Sequence, residues 1–402
     1  MQYRLENLWV PCSSGLEEGS LVVSGHRLAS SSSSRSPCFD LEGAVVLPAF
    51  INGHDHLDLA GAPRTGRPGG YRNARYWYED VQEAKAEPAF KAWLDLPLSL
   101  RRSLGAFVNL FNGCLTVSHH NPSYWWHFRR RLPVEVVGRY GWIHSLALEP
   151  DPPRALRRCP GGAPFVLHFA EGVDEDARSE LERLTLLRML TERTVLVHGV
   201  GLAPESMPKL AAAGTSLIWC PSSNLFLFGR TLAARAALAA GVPLAVGSDS
   251  TLSGEGGFLK ELPYVRRLSG LAGVALLRQI TEVPARIFRL SDRGAIREGL
   301  RADLLILHHS VKHEEFCPSR LTPRSIALVV RGGRPILADF QFERIFRELE
   351  IPAVKIRLGN VVRLLDHRYS RRFHKIVARG LCPATPLSYH DPSHTRPRAR
   401  HS

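Results

Sequence analysis

Apolar and polar positions change rhythm twice along the chain. The first ~45 residues alternate in short pieces, and Leu21-Val22-Val23 followed by Ser24-Gly25 predicts a strand and a turn. Residues 30–36 form a serine-rich loop. From Ala44 to about Leu290, strand-like apolar runs alternate with longer helical stretches. The clearest predicted strands are Ala44–Leu47, Leu115–Val117, Pro133–Val137, Phe165–Leu167, Thr194–Val197, Ser216–Trp219 and Pro243–Val246. Helices are predicted at Asp174–Thr191, with a charged face, and at Leu232–Ala240. Strands alternating with helices predict a parallel sheet. Between Ala302 and Ala338 the pattern returns to β, with Leu304–Leu307, Ile326–Val330 and a hairpin turn at Arg331-Gly332-Gly333.

This rhythm divides the chain into four parts. Residues 1–46 and 298–346 are expected to pair into one small discontinuous β-sandwich, residues 47–297 to form the α/β body, and residues 347–402 to form a basic, partly disordered tail. Net charge supports the last boundary. Of the +14 total, about +9 falls on residues 351–402, which hold eleven Lys/Arg against two Asp. A charge confined to a tail argues against nucleic acid as the partner of the body. No run of 18 apolar residues exists, and MQYRLENLWVP lacks a basic start followed by an apolar stretch, so neither a membrane span nor a signal peptide is expected. Seven cysteines without a C-x-x-C pair argue against a disulfide framework and a cysteine-built zinc site, and fit the cytoplasm.

Several central strands end in a residue able to bind metal or move a proton. The first run leads into Asn52-Gly53-His54-Asp55-His56, and strand alternation points His54 and His56 the same way. Phe165-Val166-Leu167 ends in His168, with Glu171 three residues on. Val195-Leu196-Val197 ends in His198, and Leu244-Ala245-Val246-Gly247-Ser248 ends in Asp249. In a (β/α)8 TIM-type barrel the strand ends converge on one mouth. Three imidazoles and a carboxylate there suit one divalent ion, zinc first, with iron or manganese as alternatives.

The chain resembles the amidohydrolase superfamily, in particular its aminohydrolase, deaminase and triazine hydrolase branch. The resemblance rests on Pro48-Ala49-Phe50-Ile51-Asn52-Gly53-His54-Asp55-His56, His168-Phe169-Ala170-Glu171, Val197-His198-Gly199, Cys220-Pro221-Ser222-Ser223-Asn224, Gly247-Ser248-Asp249-Ser250 and the stretch Asp292–Leu304. It covers roughly residues 1–340. It implies that His54, His56, His168 and Asp249 hold the metal. It also implies that His198 orients the attacking water, that Glu171 passes a proton to the substrate, and that Asp249 takes the first proton. The expected reaction is hydrolysis of a C–N bond in a small cyclic nitrogenous compound, with deamination first and cyclic amide hydrolysis or heteroaromatic dechlorination as alternatives. A homodimer is a further analogy of fold.

Two departures from the family pattern shape the expectation. The only lysines between His56 and His168 are Lys85 and Lys91, both in charged surroundings, which favours one metal over two. Residues 121–167 leave little room for two strands and their connections, so the barrel is expected to be trimmed at strands three and four. His119, His120 and Asn121 follow the second barrel strand and are expected, with Asn224, to contact substrate. His144 is a further strand-end candidate, and Tyr124, Trp125 and Trp126 are candidates to roof a pocket. For each residue a plain structural role competes: a buried histidine bonded to a carbonyl, or an aspartate capping a helix.

Overall fold

The computed structural model describes residues 1–33, 35–121 and 132–381. The expected roof at Tyr124, Trp125 and Trp126 and the end of the tail expected to be partly disordered lie outside them.

Four strands open the chain: β1 (Gln2–Pro11), β2 (Leu16–Ser24), β3 (Arg27–Ala29) and β4 (Cys38–Pro48). Eight follow through the centre: β5 (Phe50–Asp55), β6 (Cys114–His119), β7 (Glu135–Val136), β8 (Gly141–Ser145), β9 (Phe165–Phe169), β10 (Thr194–His198), β11 (Ser216–Trp219) and β12 (Leu244–Val246). Five close it: β13 (Leu304–Leu307), β14 (Ile326–Arg331), β15 (Arg334–Asp339), β16 (Ala353–Leu358) and β17 (Val361–Asp366).

The two β-rich ends form one sheet, in the order β16-β17-β15-β14-β13-β4-β1-β2-β3. β4 is shared between its halves. Cys38 to Val45 pair with β1 in parallel, and Val46 to Pro48 pair with β13 antiparallel. Tyr3, Leu5 and Phe39 from one half meet Leu304, Ile306 and Leu328 from the other in a common core. Ala44–Leu47, expected as a strand of the α/β body, therefore belongs to this sheet, and the first strand of the body starts at Phe50.

The boundary expected at 347 does not begin a tail. β16 and β17 extend the sheet beyond β15. Charge concealed the strand because Lys355 and Arg357 alternate with the inward Val354, Ile356 and Leu358, as an edge strand does.

The eight central strands run parallel. β5, β6 and β7 pair in one group and β8 to β12 in another. A parallel bridge between Asp55 and Asp249 joins β5 to the chain just beyond β12, so among the described residues the ring of strands stays open only between β7 and β8. Val137, Val166, Val195, Val197, Ile218 and Ala245 fill the lumen. The alternate residues Leu167, Leu196, Leu217, Leu244 and Val246 face the outer layer. This is a TIM-type barrel with a packed interior. It is trimmed where residues 121–167 run short. β7 has two residues, β8 follows after only residues 137–140, and the two do not pair. So short a link carries no crossover helix, which parallel neighbours require.

Three helices stand between β5 and β6: α1 (Ala74–Ala84), α2 (Pro88–Leu94) and α3 (Leu98–Phe111). α3 packs on the turn that follows His56, and a Cβ on Gly105 would sit 2.4 Å from the Leu57 carbonyl oxygen. Beyond β9 lies α4 (Glu175–Leu186), beyond β11 α5 (Pro221–Phe228), and after β17 α6 (His367–Val377). α6 sets Phe373 against Phe107 and Phe111 of α3, with ring centroids 5.5 and 6.4 Å apart.

Candidate metal centre and active site

The strand ends bring the expected residues to one mouth. His54 and His56 direct Nε2 toward the same Asp249 Oδ1, at 3.7 and 3.5 Å. Ser250 N–H donates to that oxygen at 2.7 Å, while Ser223 and Ser253 hydroxyls donate to Asp249 Oδ2 at 2.6 and 3.2 Å. His168 lies two residues after the lumen residue Val166, so its ring also enters the mouth. It stacks at 5.5 Å on His56 and stands 5.0 Å from His54. Its Nδ1 donates to the His144 carbonyl at 2.8 Å, which leaves the lone pair on Nε2. Gly247 makes this closeness feasible, since a Cβ there would lie 2.7 Å from His54 Cβ.

His198 should face outward, because Val197 before it faces the lumen. A left-handed backbone (φ 75°) breaks the alternation and re-aims the ring to 5.3 Å from His168. Ala170 (φ 46°) and Asp249 (φ 56°) are also left-handed. Such non-glycine strain costs about 1–3 kcal/mol per residue and gathers at functional sites. His198 Nδ1 donates to the Asn224 carboxamide oxygen at 2.8 Å, and its Nε2 stands 3.7 Å from Glu171 Oε1. Asn224 Nδ2 in turn donates to Thr231 at 3.2 Å.

Electrostatics divides the carboxyls. Burial pushes Glu171 up to about 7, against the pull of His198, with Asp249 and Glu180 adding to the rise. Burial works against Asp249 ionising, but His198, His56, Ser223 and Ser250 together hold it below the usual aspartate range. His54 is driven well below the ordinary histidine range, first by burial and then by His56 and His120. His168 is lowered in the same way by burial, His120 and His144. These imidazoles therefore keep their lone pairs at neutral pH.

A cation fits this donor set. Both ring nitrogens of His54 and Nδ1 of His56 and His120 are buried without a hydrogen-bond partner. Leaving such atoms bare costs about 1–3 kcal/mol each. Two overlapping trios, His54–His56–Asp249 and His54–His120–His168, each bring one ligand atom per residue within 4.8 Å of one another.

Other expected residues take different places. His119 is buried away from the mouth, its Nδ1 accepting from Leu57 N–H at 3.1 Å. Asn224 is buried behind His198, bonded to its imidazole and absent from the cavity lining. His120 is buried among the other imidazoles. Asn121 does line the cavity over the site, and donates to Asp58 at 2.8 Å. That cavity has a volume of about 600 Å³ and opens on His56, His144, His168, Glu171, His198 and Asp249. Trp77, Phe90 and Trp93 of α1 and α2 give it an aromatic wall, which the apolar pattern of those helices did not distinguish from core.

A polar support beneath the mouth was also missed. Asp55 Oδ2 accepts from Asn52 (3.0 Å), Asn109 (2.8 Å) and Ser248 (3.1 Å). Burial pushes its carboxyl up to about 7 against the pull of Asn109 and Ser248. No local spacing reveals Asn109, since only the packing of α3 brings it there.

Comparison with known proteins points one way. The amidohydrolase family model matches residues 165–336. The 5-methylthioadenosine/S-adenosylhomocysteine deaminase of Pyrococcus furiosus is 30% identical over 156 residues, 36% of this chain and 36% of that protein. The 8-oxoguanine deaminase of Pseudomonas aeruginosa is 29% identical over 154 residues, 35% of this chain and 34% of that protein. The match thus spans about a third of the length of these curated relatives. Among solved structures, an adenosine deaminase from Xanthomonas campestris with bound zinc shares the fold (TM-score 0.67, 18% identity, 84% of this chain and 93% of that one). The atrazine chlorohydrolase of Arthrobacter aurescens complexed with zinc does likewise (TM-score 0.66, 20% identity, 87% and 99%). With five motif residues gathered at the mouth of the barrel, the chain is similar to the amidohydrolase family over residues 165–336 and shares its barrel fold with these zinc-bound enzymes.

Proposed function

We propose that the protein is a metal-dependent aminohydrolase that deaminates a small, cyclic nitrogenous compound. The observation that carries this reading is Glu171, a buried carboxyl raised to about 7 and set 3.7 Å from His198 on the cavity floor. A carboxyl that holds its proton near neutrality can deliver it to a departing amine. One divalent ion, held by His54, His56, His168 and Asp249, would supply an acidified water, since such an ion lowers the water pKa from 15.7 to about 7.

The remaining roles belong to the chain. Asn224 fixes the proton of His198 on Nδ1, so Nε2 offers a lone pair toward Glu171 and the water position. Asp249 remains ionised and can accept a proton. Trp77, Phe90 and Trp93 offer a flat apolar wall to a ring, and Asn121 offers a polar edge. The names of the matching relatives, deaminases of 5-methylthioadenosine/S-adenosylhomocysteine and of 8-oxoguanine, support the same leaving group.

Zinc is the first candidate metal, with iron or manganese next, because the donors are imidazole nitrogen and carboxylate oxygen. The six described cysteines are free, which supports a reducing cytoplasm. Among the described residues no helix is long and apolar enough to cross a membrane. A homodimer rests on fold analogy and is tested by sedimentation.

The test is ammonia release from a panel of purines, pyrimidines, pterins and triazines, with metal content measured on the same sample. Stoichiometric ammonia, lost on chelation and restored by zinc or iron, is the expected result. Chloride or a ring-opened acid as the only product would replace deamination with another hydrolysis.

A further inference from the structure

We propose that His120 is a further ligand of the cation held at this centre. The inference rests on the metal-dependent reading above and extends its ligand set.

His120 follows directly on β6 and is fully buried. Its Nε2 lies 3.1 Å from the Ile143 carbonyl oxygen. A carbonyl only accepts, so Nε2 carries the hydrogen and the lone pair of the neutral ring sits on Nδ1. That Nδ1 is buried and has no hydrogen-bond partner. The ring stands 4.2 Å from that of His168 and 5.1 Å from that of His54, and the three supply ligand atoms within 4.8 Å of one another. A ring anchored through one nitrogen to a backbone carbonyl, with the other nitrogen bare, is the usual state of a metal-ligating histidine. His168 has the same anchor one residue along, at the His144 carbonyl. Consecutive carbonyls of β8 thus anchor two imidazoles of one cluster, each through one nitrogen, which leaves the other nitrogen of each for a ligand.

A substrate role explains less. His120 is absent from the lining of the 600 Å³ cavity, and its ring packs against those of His54 and His168.

One ion at the residue that the two trios share would draw on both. The trios His54–His56–Asp249 and His54–His120–His168 share His54, and a neutral imidazole has a single lone pair to give. One cation at that vertex receives four imidazoles and one carboxylate. Five protein donors exceed the four of a tetrahedral zinc site and suit an ion that accepts five or six.

The experiment uses the full chain, stripped of metal and loaded with Co²⁺. X-ray absorption on the unmutated Co²⁺ protein counts the imidazoles, and needs no variant to fold. Four are expected; three overturn the proposal. In parallel, visible absorption and chelator competition compare His120→Ala and His120→Gln with the parent. A changed band pattern and an affinity weaker by about 10–100-fold are expected. Unchanged bands and affinity in a folded variant overturn the assignment while leaving the four-residue centre standing. If the parent itself takes up neither Co²⁺ nor Zn²⁺, the metal-dependent reading falls, and this inference with it.

Discussion

His198 Nδ1 stands 2.8 Å from the Asn224 carboxamide oxygen, and that one bond decides which face of the imidazole is basic. The carboxamide is itself fixed by Thr231 at 3.2 Å. Removing it by Asn224→Ala frees the ring to turn and to exchange tautomers. Partners of this kind are worth about 10–100-fold in activity, and the loss should fall on kcat, since Asn224 does not touch the cavity. Asn224→Asp keeps the acceptor but adds a negative charge beside the ring. It should therefore recover part of the activity that Asn224→Ala loses, because Nδ1–H keeps its acceptor. Steady-state kinetics of ammonia release check both.

Glu171 sets a basic limb in the pH–rate profile. Burial raises it to about 7, and the form that donates a proton is the protonated one. Activity, as kcat/KM, should therefore fall as pH rises through about 7. Glu171→Gln cannot release or deliver a proton, so the variant should lose this limb and about 10²–10⁴-fold in rate. A profile from about pH 6 to about pH 9 on both proteins settles the assignment. A limb that persists in the Gln variant belongs to another group.

Glu261 carries a stability consequence that is separate from catalysis. It is fully buried, and burial pushes its carboxyl up to about 8 although Ser222 donates to it through both N–H and Oγ–H. In the unfolded chain it ionises near 4.3. Between these values the folded protein holds a proton that the unfolded chain has released, so the contribution is complete below the unfolded value and is lost as pH rises through about 8. Glu261→Gln removes the ionisation and keeps an acceptor, while the Ser222 hydroxyl can reverse its donor role. Relative to the parent, the variant should gain stability with rising pH, at up to about 1.4 kcal/mol per pH unit. Urea unfolding at several pH values across that window measures it.

The residues that meet at the mouth were more legible in the sequence than the packing that supports them. His54, His56, His168, His198 and Asp249 each end a strong apolar run, and a barrel makes run ends converge. The trimming at the third strand and its link to the fourth was also readable, from the short interval between His120 and His168. Three things were not readable, for different reasons. Asn109 reaches Asp55 only through the packing of α3. The outward turn of Asn224 depends on where α5 starts. The edge strand after 347 was hidden by its exposed Lys355 and Arg357, and its neighbour by an arginine, Arg363, that only the fold buries. Local pattern reports which face of a strand is apolar; it does not report which helix will later cover that strand, and both Asn109 and Asn224 lie across such seams.

The cluster that builds the metal site should weaken the metal-free protein. His54 is completely buried, and neither ring nitrogen has a hydrogen-bond partner. An apolar side chain of similar volume would escape that penalty, which is about 1–3 kcal/mol for an unsatisfied buried polar group. His54→Leu should therefore leave the metal-free protein as stable as the parent, or more so. The parent, in contrast, should gain stability on adding zinc by RT ln(1 + [L]/Kd), about 4 kcal/mol at a thousandfold excess over Kd, and the variant should gain almost none. Thermal melts with and without zinc give both numbers from one pair of proteins. A His54→Leu variant that is strongly destabilised without metal, yet still responds to zinc, would mean that His54 is a packing residue and that the ion is held elsewhere.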